Sequence, residues 1–325
     1  MQRYVFRRLL QIPIMVVFIS TVAFFALRLI PGGPLAAYGR GGMSPEALEA
    51  LRVKLGLDDA LPTQFVRWFG SALTGDFGFS IQTRQPVLDE ILSRLPATLY
   101  LMTTTFVIVI ILAILLGTFA AVRQYSKLDT FLTSLSFAGA AMPVYWLSLI
   151  LILINAQVRN PANRPYLPSG GMMSPGAEFS LPDLATHLVL PVIALGLGWV
   201  SWYARYVRAG MLDVIHQDYI RTVRAKGLRE RSVIFRHAFK NASLPLLTVV
   251  ALDLPYLFAG ALFVEIIFGW PGIGNFFYQS LVRRDYPIVL AIIVFVAILV
   301  ILANLIADIA YAWLDPRVKY ERRPA

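Results

Sequence analysis

Six stretches of this sequence are too long and too apolar to form the core of a water-soluble domain: Leu9–Ile30, Thr98–Val122, Phe131–Ile154, Leu184–Tyr206, Leu246–Phe268 and Pro287–Leu314. A helix needs about 20 apolar residues to cross the hydrocarbon of a bilayer. Backbone groups in lipid must find partners within their own segment, so the runs are predicted to be helices. A membrane barrel is excluded, because barrel strands alternate in polarity over about 10 residues and these runs do not. Composition agrees, with 58% hydrophobic and 15% charged residues, against roughly 45–50% and about 25% in soluble domains. The predicted fold is an all-α integral membrane protein with six transmembrane helices. Internal prolines at Pro143, Pro191 and Pro255 each remove an amide donor and are expected to kink their helices.

The distribution of Lys and Arg orients the chain. With the N-terminus inside, the inside segments (the first eight residues, Arg123–Asp129, Arg205–Lys240 and the tail after Leu314) hold 18 of the 29 basic residues. The outside segments are longer but nearly neutral, because acids such as Glu46, Glu49, Asp58, Asp59, Asp76, Asp89 and Glu90 offset their cations. The positive-inside rule therefore predicts N-in and C-in. The net charge of +10 is accounted for by this asymmetry, and nucleic acid is not an expected partner. The first run follows Arg3, Arg7 and Arg8 but is longer than a signal-peptide core, and Ile30-Pro31-Gly32-Gly33-Pro34 follows it in place of a small-residue cleavage site. It reads as a retained anchor.

Four regions are expected: 1–30, the N-terminus and first helix; 31–96, a small extracytoplasmic helical subdomain; 97–314, the remaining five helices with a cytoplasmic loop at 207–245; and 315–325, a cytoplasmic tail. In the subdomain, Ser44 offers an N-cap, Pro45 suits the first helical position and Gly56 suits the end of that helix. Further helices are expected over Pro62–Leu73 and Pro86–Leu95. The Pro- and Gly-rich Val158–Ser180 segment reads as irregular structure. Ile267–Phe277 reads as a tight turn whose Trp and Phe residues suit the lipid–water interface, and Asp285-Tyr286-Pro287 as the start of the last helix.

The chain holds no cysteine and no Gly-Lys pair. Thiolate metal sites, disulfides and a phosphate-binding P-loop are therefore excluded. His-Glu-x-x-His, Gly-x-Ser-x-Gly and dense carboxylate/His clusters are also missing, so neither catalytic residues nor a metal or cofactor site is expected. The three histidines, His187, His216 and His237, read as packing or surface residues.

One polar segment interrupts the apolar pattern. Asp218–Pro245, DYIRTVRAKGLRERSVIFRHAFKNASLP, carries seven Lys or Arg residues, two acids and a histidine. Met211, Ile215, Tyr219 and Val223 recur every four residues, which predicts one helical face. Gly227 after Lys226 suits a helix end, where cations favour the dipole. Leu228, Ile234, Phe235, Ala238 and Phe239 then supply the apolar positions of a second amphipathic piece, interleaved with Arg229, Arg231, Arg236 and Lys240. Two helices bent at a glycine are predicted. A loop resting on anionic lipid headgroups and a protein-docking segment both fit this composition.

The residues Tyr219-Ile220-Arg221-Thr222-Val223-Arg224-Ala225-Lys226-Gly227-Leu228, then His237-Ala238-Phe239-Lys240-Asn241-Ala242 and Leu244-Pro245, closely resemble the cytoplasmic loop of ABC-importer permeases of the dipeptide/oligopeptide/nickel subgroup. The wider superfamily has Glu-Ala-Ala where this chain has Arg221-Thr222-Val223, and Pro245 lies further beyond Gly227 than in sugar permeases; both departures fit the peptide subgroup. RYVFRRLLQIPI, LRLIPGGP, LGLDDALPTQFVRWFGSALTGDFGFS, LPATLYL, PSGG, LVLPVIALG, FVEIIFGWPGIG and NLIADIAYAWLDPRV resemble further signatures of that subgroup in the same order, so the resemblance covers essentially the whole chain.

What the resemblance implies is a permease subunit, without an ATPase site of its own, in the bacterial or archaeal cytoplasmic membrane. It would pair with a homologous second permease. Two ATPase subunits that bind ATP and Mg would dock beneath, and an extracytoplasmic solute-binding protein would deliver the cargo. The loop would be the coupling helix. Gly227 would form the bend, Tyr219 and Val223 the buried contact, and Arg221, Arg224 and Lys226 the polar contact, with Asp218, Thr222, Ala225, Leu228, His237, Asn241 and Pro245 completing it. Three acids, Asp253, Glu265 and Asp308, fall within or near the ends of apolar runs, where ionised groups usually face a partner or a cavity. Hydrogen-bonded structural contacts account for them better than an ion route, and Asp253 is the expected pathway-lining residue. Di- and oligopeptides are the first-choice cargo, with nickel chelates, glutathione and other peptide-like solutes open. An ion-gradient-driven secondary transporter, which would need matching broken repeats, and a structural assembly subunit are the readings from other classes.

Overall fold

Prolines decide where the long apolar runs stay straight and where they break. The computed structural model describes residues 2–29, 44–54, 56–158, 165–256 and 261–314. Among these, α1 (Gln2–Arg28), α2 (Pro45–Lys54), α3 (Leu61–Leu73), α4 (Val87–Val122), α5 (Lys127–Ala141), α6 (Val144–Gln157), α7 (Leu181–Ile215), α8 (Asp218–Ala225), α9 (Glu230–Ser232), α10 (Phe239–Ala242), α11 (Leu244–Asp253), α12 (Leu262–Ile267), α13 (Ile273–Arg283) and α14 (Tyr286–Leu314) follow in order. A π-helical turn, Val233–Ala238, joins α9 to α10. The described residues contain no strand, only an isolated bridge between Phe79 and Pro86.

Four helical stretches are long and apolar enough to cross a membrane: Leu9–Arg28, Val87–Val122, Leu181–Ile215 and Tyr286–Ala307. The third apolar run departs from a simple helix. It is split into α5 and α6, which meet at 107° and together supply a fifth candidate crossing. Met142 (φ −78°, ψ 123°) and Pro143 (φ −62°, ψ 132°) are both extended, because a proline ring forces the preceding residue out of the helical region and supplies no amide to continue the ladder. The fifth run is likewise interrupted: α11 stops at Asp253, Leu254-Pro255 form a turn, and Tyr256 is helical again, with α12 following from Leu262. Pro13, Pro96 and Pro191, by contrast, lie within continuous helices. The predicted Pro86–Leu95 helix is not separate. It forms the first turns of α4, whose 36 residues span about 54 Å, well beyond a hydrocarbon core of about 30 Å.

The chain divides into two compact units. The first comprises 1–99, 258–262 and 271–309. Here Ser44 caps α2, accepting the Ala47 amide at 3.3 Å, and Gly56 follows α2 with φ +60°. Phe24 of α1 meets Phe65 and Trp68 of α3 with ring centroids 5.5 and 5.8 Å apart. A second cluster packs Val87 and Ile91 of α4 with Ile273, Phe276, Ile288 and Ile292. Asp285, fully buried, accepts from the Ser80 hydroxyl at 2.6 Å and from the Ile81 and Gln82 amides at 3.1 and 3.2 Å. Thr98 Oγ1 accepts the Ile273 amide at 2.8 Å, and Arg94 lies 3.8 Å over the Phe276 ring.

The second unit comprises 100–257, 263–270 and 310–325. Its core is built on α4 and α7, from Val109 and Ala113 to Tyr203, Val207 and Met211. The irregular segment before α7 is held by Asn155, whose amide donates to Leu167 O at 2.8 Å and Ser169 Oγ at 3.0 Å. Gly171 donates its amide to Phe268 O at 2.7 Å. Phe268 and Trp270 are fully buried, so the expectation that this turn presents its aromatics at the lipid interface is corrected: they fill the interior. Pro31–Pro34, Pro161, the Asp308 side chain and the tail 315–325 lie outside the described residues.

Replacing Asp285 with Ala removes one carboxylate that serves three donors, and leaves the buried Ser80 hydroxyl without its acceptor. The expected cost is about 3 kcal/mol, seen as a melting temperature several degrees lower for the detergent-solubilised protein. An unchanged melting temperature would show that the Ser80–Gln82 turn is held by its other contacts.

Candidate docking surface

The polar segment hangs from the end of α7. His216 and Gln217 interrupt the helix, Gln217 being extended (φ −71°, ψ 151°), and α8 starts afresh at Asp218. The expected single face through Met211, Ile215, Tyr219 and Val223 is therefore corrected: the first two belong to α7 and the last two to α8. All four still reach one core, because the chain turns back on itself. Met211 and Ile215 are buried in it, and Tyr219 and Val223 pack against it half-buried. The residue that roots α8 is Ile220, 0% exposed. Once the helix restarts at Asp218, its inward face is centred there, and the i, i+3 pair Ile220–Val223 was the available signal.

Lys226 ends α8 and Gly227 follows with φ +75°, a left-handed conformation that costs an L residue with a Cβ. This is the bend expected at that glycine. Arg224 crosses it, donating to Glu230 at 2.8 Å. Asn241 Nδ2 donates to Tyr219 Oη at 2.8 Å and ties α10 back to α8. Beyond the bend, Val233, Ile234, Ala238 and Ala242 face inward. The π-helical turn sets that choice, since i→i+5 bonding shifts the register of the inward face. Val233 is thus a core residue that four-residue spacing overlooks. Leu228 and Phe235, expected on the apolar face, are instead 44% and 38% exposed.

The outer surface is cationic with apolar points. Arg221 is 74% exposed and only loosely paired with Asp218 at 3.4 Å. Lys226, Arg229, Arg231, Arg236 and Lys240 are exposed and pair with no carboxylate among the described residues. Thr222 Oγ1 donates to Asp218 O within α8, Ala225 is exposed, and His237 is half-buried. Pro245, exposed in the first turn of α11, needs no amide partner there. A surface of this kind attracts an acidic partner at long range and offers Leu228 and Phe235 for short-range contact.

One close contact anchors this surface to α7, and one ion pair ties α7 to α5. Gly210 packs so closely on the Ala242 carbonyl that a Cβ there would collide with it. Two residues earlier in α7, Arg208 grips the buried Asp129 of α5 through Nε–Oδ1 and Nη2–Oδ2 bonds, both 2.8 Å. Asp129 also accepts the Tyr125 amide at 3.0 Å and the Thr133 hydroxyl at 3.3 Å. Sequence reading missed this pair, which lies 79 residues apart along the chain. Asp253, at the end of α11, accepts the hydroxyl proton of the buried Tyr203 at 2.7 Å. Glu265 is fully buried and also has a partner.

Comparison with known proteins covers the whole chain. Residues 113–320 match the family model described as binding-protein-dependent transport system inner membrane component, and 1–102 match its N-terminal membrane component. The chain is 40% identical over 322 residues to the oligopeptide transport system permease protein AppB of Bacillus subtilis, spanning 98% of this chain and 100% of that protein. It is 35% identical over 340 residues to the dipeptide transport system permease protein DppB of Escherichia coli K12, covering 99% and 100%. It is 36% identical over 323 residues to the di/tripeptide transport system permease protein DppB of Pseudomonas aeruginosa, covering 94% and 95%.

Arg208→Gln leaves the Asp129 carboxylate buried without its cation, a loss of about 3–5 kcal/mol. The double variant Asp129→Asn with Arg208→Gln removes both charges and is expected to recover most of it. Thermal unfolding of the purified variants measures this. A double variant as unstable as the single one would place the cost elsewhere.

Proposed function

This chain belongs to the binding-protein-dependent transport system inner membrane component family, and from that premise we propose that it imports di- and oligopeptides as one of two permeases in an ATP-driven complex. It is a multi-pass inner-membrane protein. In our reading the chain crosses the membrane six times with both ends inside, the bent α5–α6 pair and the interrupted α11–α12 stretch each making one crossing. The 31–96 region stands outside and 207–245 stands in the cytoplasm.

The polar segment is the coupling element. Two ATPase subunits hold ATP and Mg, and this chain contributes no catalytic group. Its exposed Arg221, Lys226, Arg229, Leu228 and Phe235 meet the ATPase, while Ile220, Val233 and Ala242 fix the segment to α7. Because Arg224–Glu230 and Tyr219–Asn241 close the hairpin internally, a push on its outer face is delivered to α7 without being lost in a flexible loop. The helices then switch between outward and inward access, and a solute-binding protein supplies the cargo. Asp253, held by Tyr203, is the pathway-lining candidate. The observation that carries the reading is the rigid attachment of an unpaired cationic surface to a membrane-spanning helix.

The test is reconstitution of the complete importer with peptide as cargo. Arg221→Glu reverses a charge that is exposed and hardly paired, so the variant is expected to assemble in the membrane. Its ATP-driven uptake is expected to fall about tenfold or more, equivalent to about 1.4 kcal/mol of lost coupling, while ATP hydrolysis persists. The defect should depend on ionic strength, as long-range charge contacts do. Unchanged uptake would remove the docking role of this surface.

A further inference from the structure

Helix α3 carries more apolar surface than its neighbours cover. Successive residues of a helix turn by about 100°, so Phe65, Trp68 and Ala72 share one face. That face packs inward, against the end of α1 and the cluster around Val87. Pro62, Val66, Phe69 and Leu73, spaced by four, three and four residues, form a second apolar stripe beside it. Val66 and Leu73 are 68% and 69% exposed, and Pro62 is exposed as well. Phe69 is half-buried, its ring stacked 5.5 Å from that of Phe65. Thr63, Arg67 and Ser71, all exposed, make up the polar side, where Arg67 pairs with Asp59 at 2.6 Å. The described residues therefore leave the stripe largely uncovered.

The depth of α3 indicates what meets that stripe. The spanning stretch of α1, Leu9–Arg28, has 20 residues. It rises about 30 Å, equal to the thickness of a hydrocarbon core. Phe24 and Phe25 come four and three positions before Arg28, which puts them about 4–6 Å inside that end of the span. Phe65 sits 5.5 Å from Phe24 and 6.3 Å from Phe25, and Trp68 sits 5.8 Å from Phe24. Helix α3 is thus held at the edge of the hydrocarbon and not above the headgroups. Two further observations mark the same level. The rings of Phe24, Phe25, Phe65, Trp68 and Phe69 adjoin one another there, as aromatics do at a membrane–water interface. Arg28 closes the span with its guanidinium 4.7 Å over the Phe24 ring, where a long cationic side chain can reach the headgroups. A water-soluble partner would have to reach an uncharged stripe that already lies at the level of the acyl chains.

Resting on the placement of this chain in the inner membrane, we propose that α3 is an interfacial helix. Pro62, Val66, Phe69 and Leu73 seat in the acyl chains of the leaflet at the Arg28 end of α1, and Thr63, Arg67 and Ser71 turn to headgroups and water. Helices of this kind sink their apolar face about 5–10 Å into the boundary between headgroups and acyl chains. The occupant is lipid hydrocarbon, so no particular headgroup is selected. The stripe gives the region between α1 and α4 a hold on the membrane besides the spanning helices.

The chain contains no cysteine, so one introduced thiol carries one nitroxide label. Val66→Cys, Leu73→Cys, Thr63→Cys and Ser71→Cys are made singly in the full chain. Each is reconstituted in lipid nanodiscs with the subunits that co-purify, any cysteines of those subunits being replaced by serine. Electron paramagnetic resonance compares collisions of the label with oxygen, which concentrates in lipid, and with a nickel chelate confined to water. Labels at Val66 and Leu73 are expected to favour oxygen, at a depth of about 5–10 Å, and labels at Thr63 and Ser71 to favour nickel. All four side chains are exposed, so no core packing is lost, and Val66 and Leu73 test the stripe independently. Equal readings on the two sides of α3 would overturn the proposal by removing the sided seating. Stripe labels that neither probe reaches would also overturn it, by placing a protein over them. Neither uptake nor ATP hydrolysis enters the readout, so failure here leaves the reading of the importer intact.

Discussion

A backbone amide in hydrocarbon has no water to turn to, and the architecture follows from that single restriction. Each long apolar run must carry its own hydrogen bonds, so it can only be helix, and a break is tolerated only where neighbouring groups shelter the freed carbonyls. The sequence places such breaks at prolines, but not at every proline. Pro191 sits within α7 without ending it, whereas Pro143 turns the chain through 107°. The difference lies in the preceding residue: Met142 is extended, while the residue before Pro191 is helical. That conformation is selected by packing and is not written at the proline itself.

The pattern of legibility follows from the range of each interaction. The α2 start at Ser44-Pro45, the helix at Leu61–Leu73, the left-handed Gly227 and the start of α14 at Tyr286 depend on residues a few positions apart, and all could be read locally. The Asp285 clasp on Ser80, the Arg208–Asp129 pair and the Tyr203–Asp253 bond join residues 205, 79 and 50 positions apart. No periodicity announces them. The misplacement of Leu228 and Phe235 has a different origin. Their apolar character suggested burial, yet the π-helical turn gives the interior to Val233 beside the expected Ile234 and leaves Phe235 outside, and Leu228 falls in the bend ahead of that turn. The fate of Trp270 makes the same point: an aromatic beside Gly and Pro suits an interface, but tertiary packing took it inside.

In the second unit, close contacts are concentrated on the C-terminal half of α7. Gly210 admits the Ala242 backbone, Arg208 holds α5, and Ile220 inserts from α8. The first works by close fit and the second by paired charge, while Ile220 works by burial in the apolar core it shares with Met211 and Val233. Such contacts lose most when one partner is removed and little when both are replaced together. A segment fixed this way moves with its helix as one body. The first unit relies instead on aromatic stacking between α1 and α3, which leaves space beside Arg28.

The π-helical turn at Val233–Ala238 acts as a phase marker in the chain. It holds one residue more than the α-helical repeat would use, and each α-helical residue advances the azimuth by about 100°. Any change of length within those six positions would rotate Phe239–Ala242, and with it the entry into α11, relative to the preceding helix. Insertions and deletions at this turn would therefore throw the two ends out of alignment, whereas a substitution there leaves the register as it is.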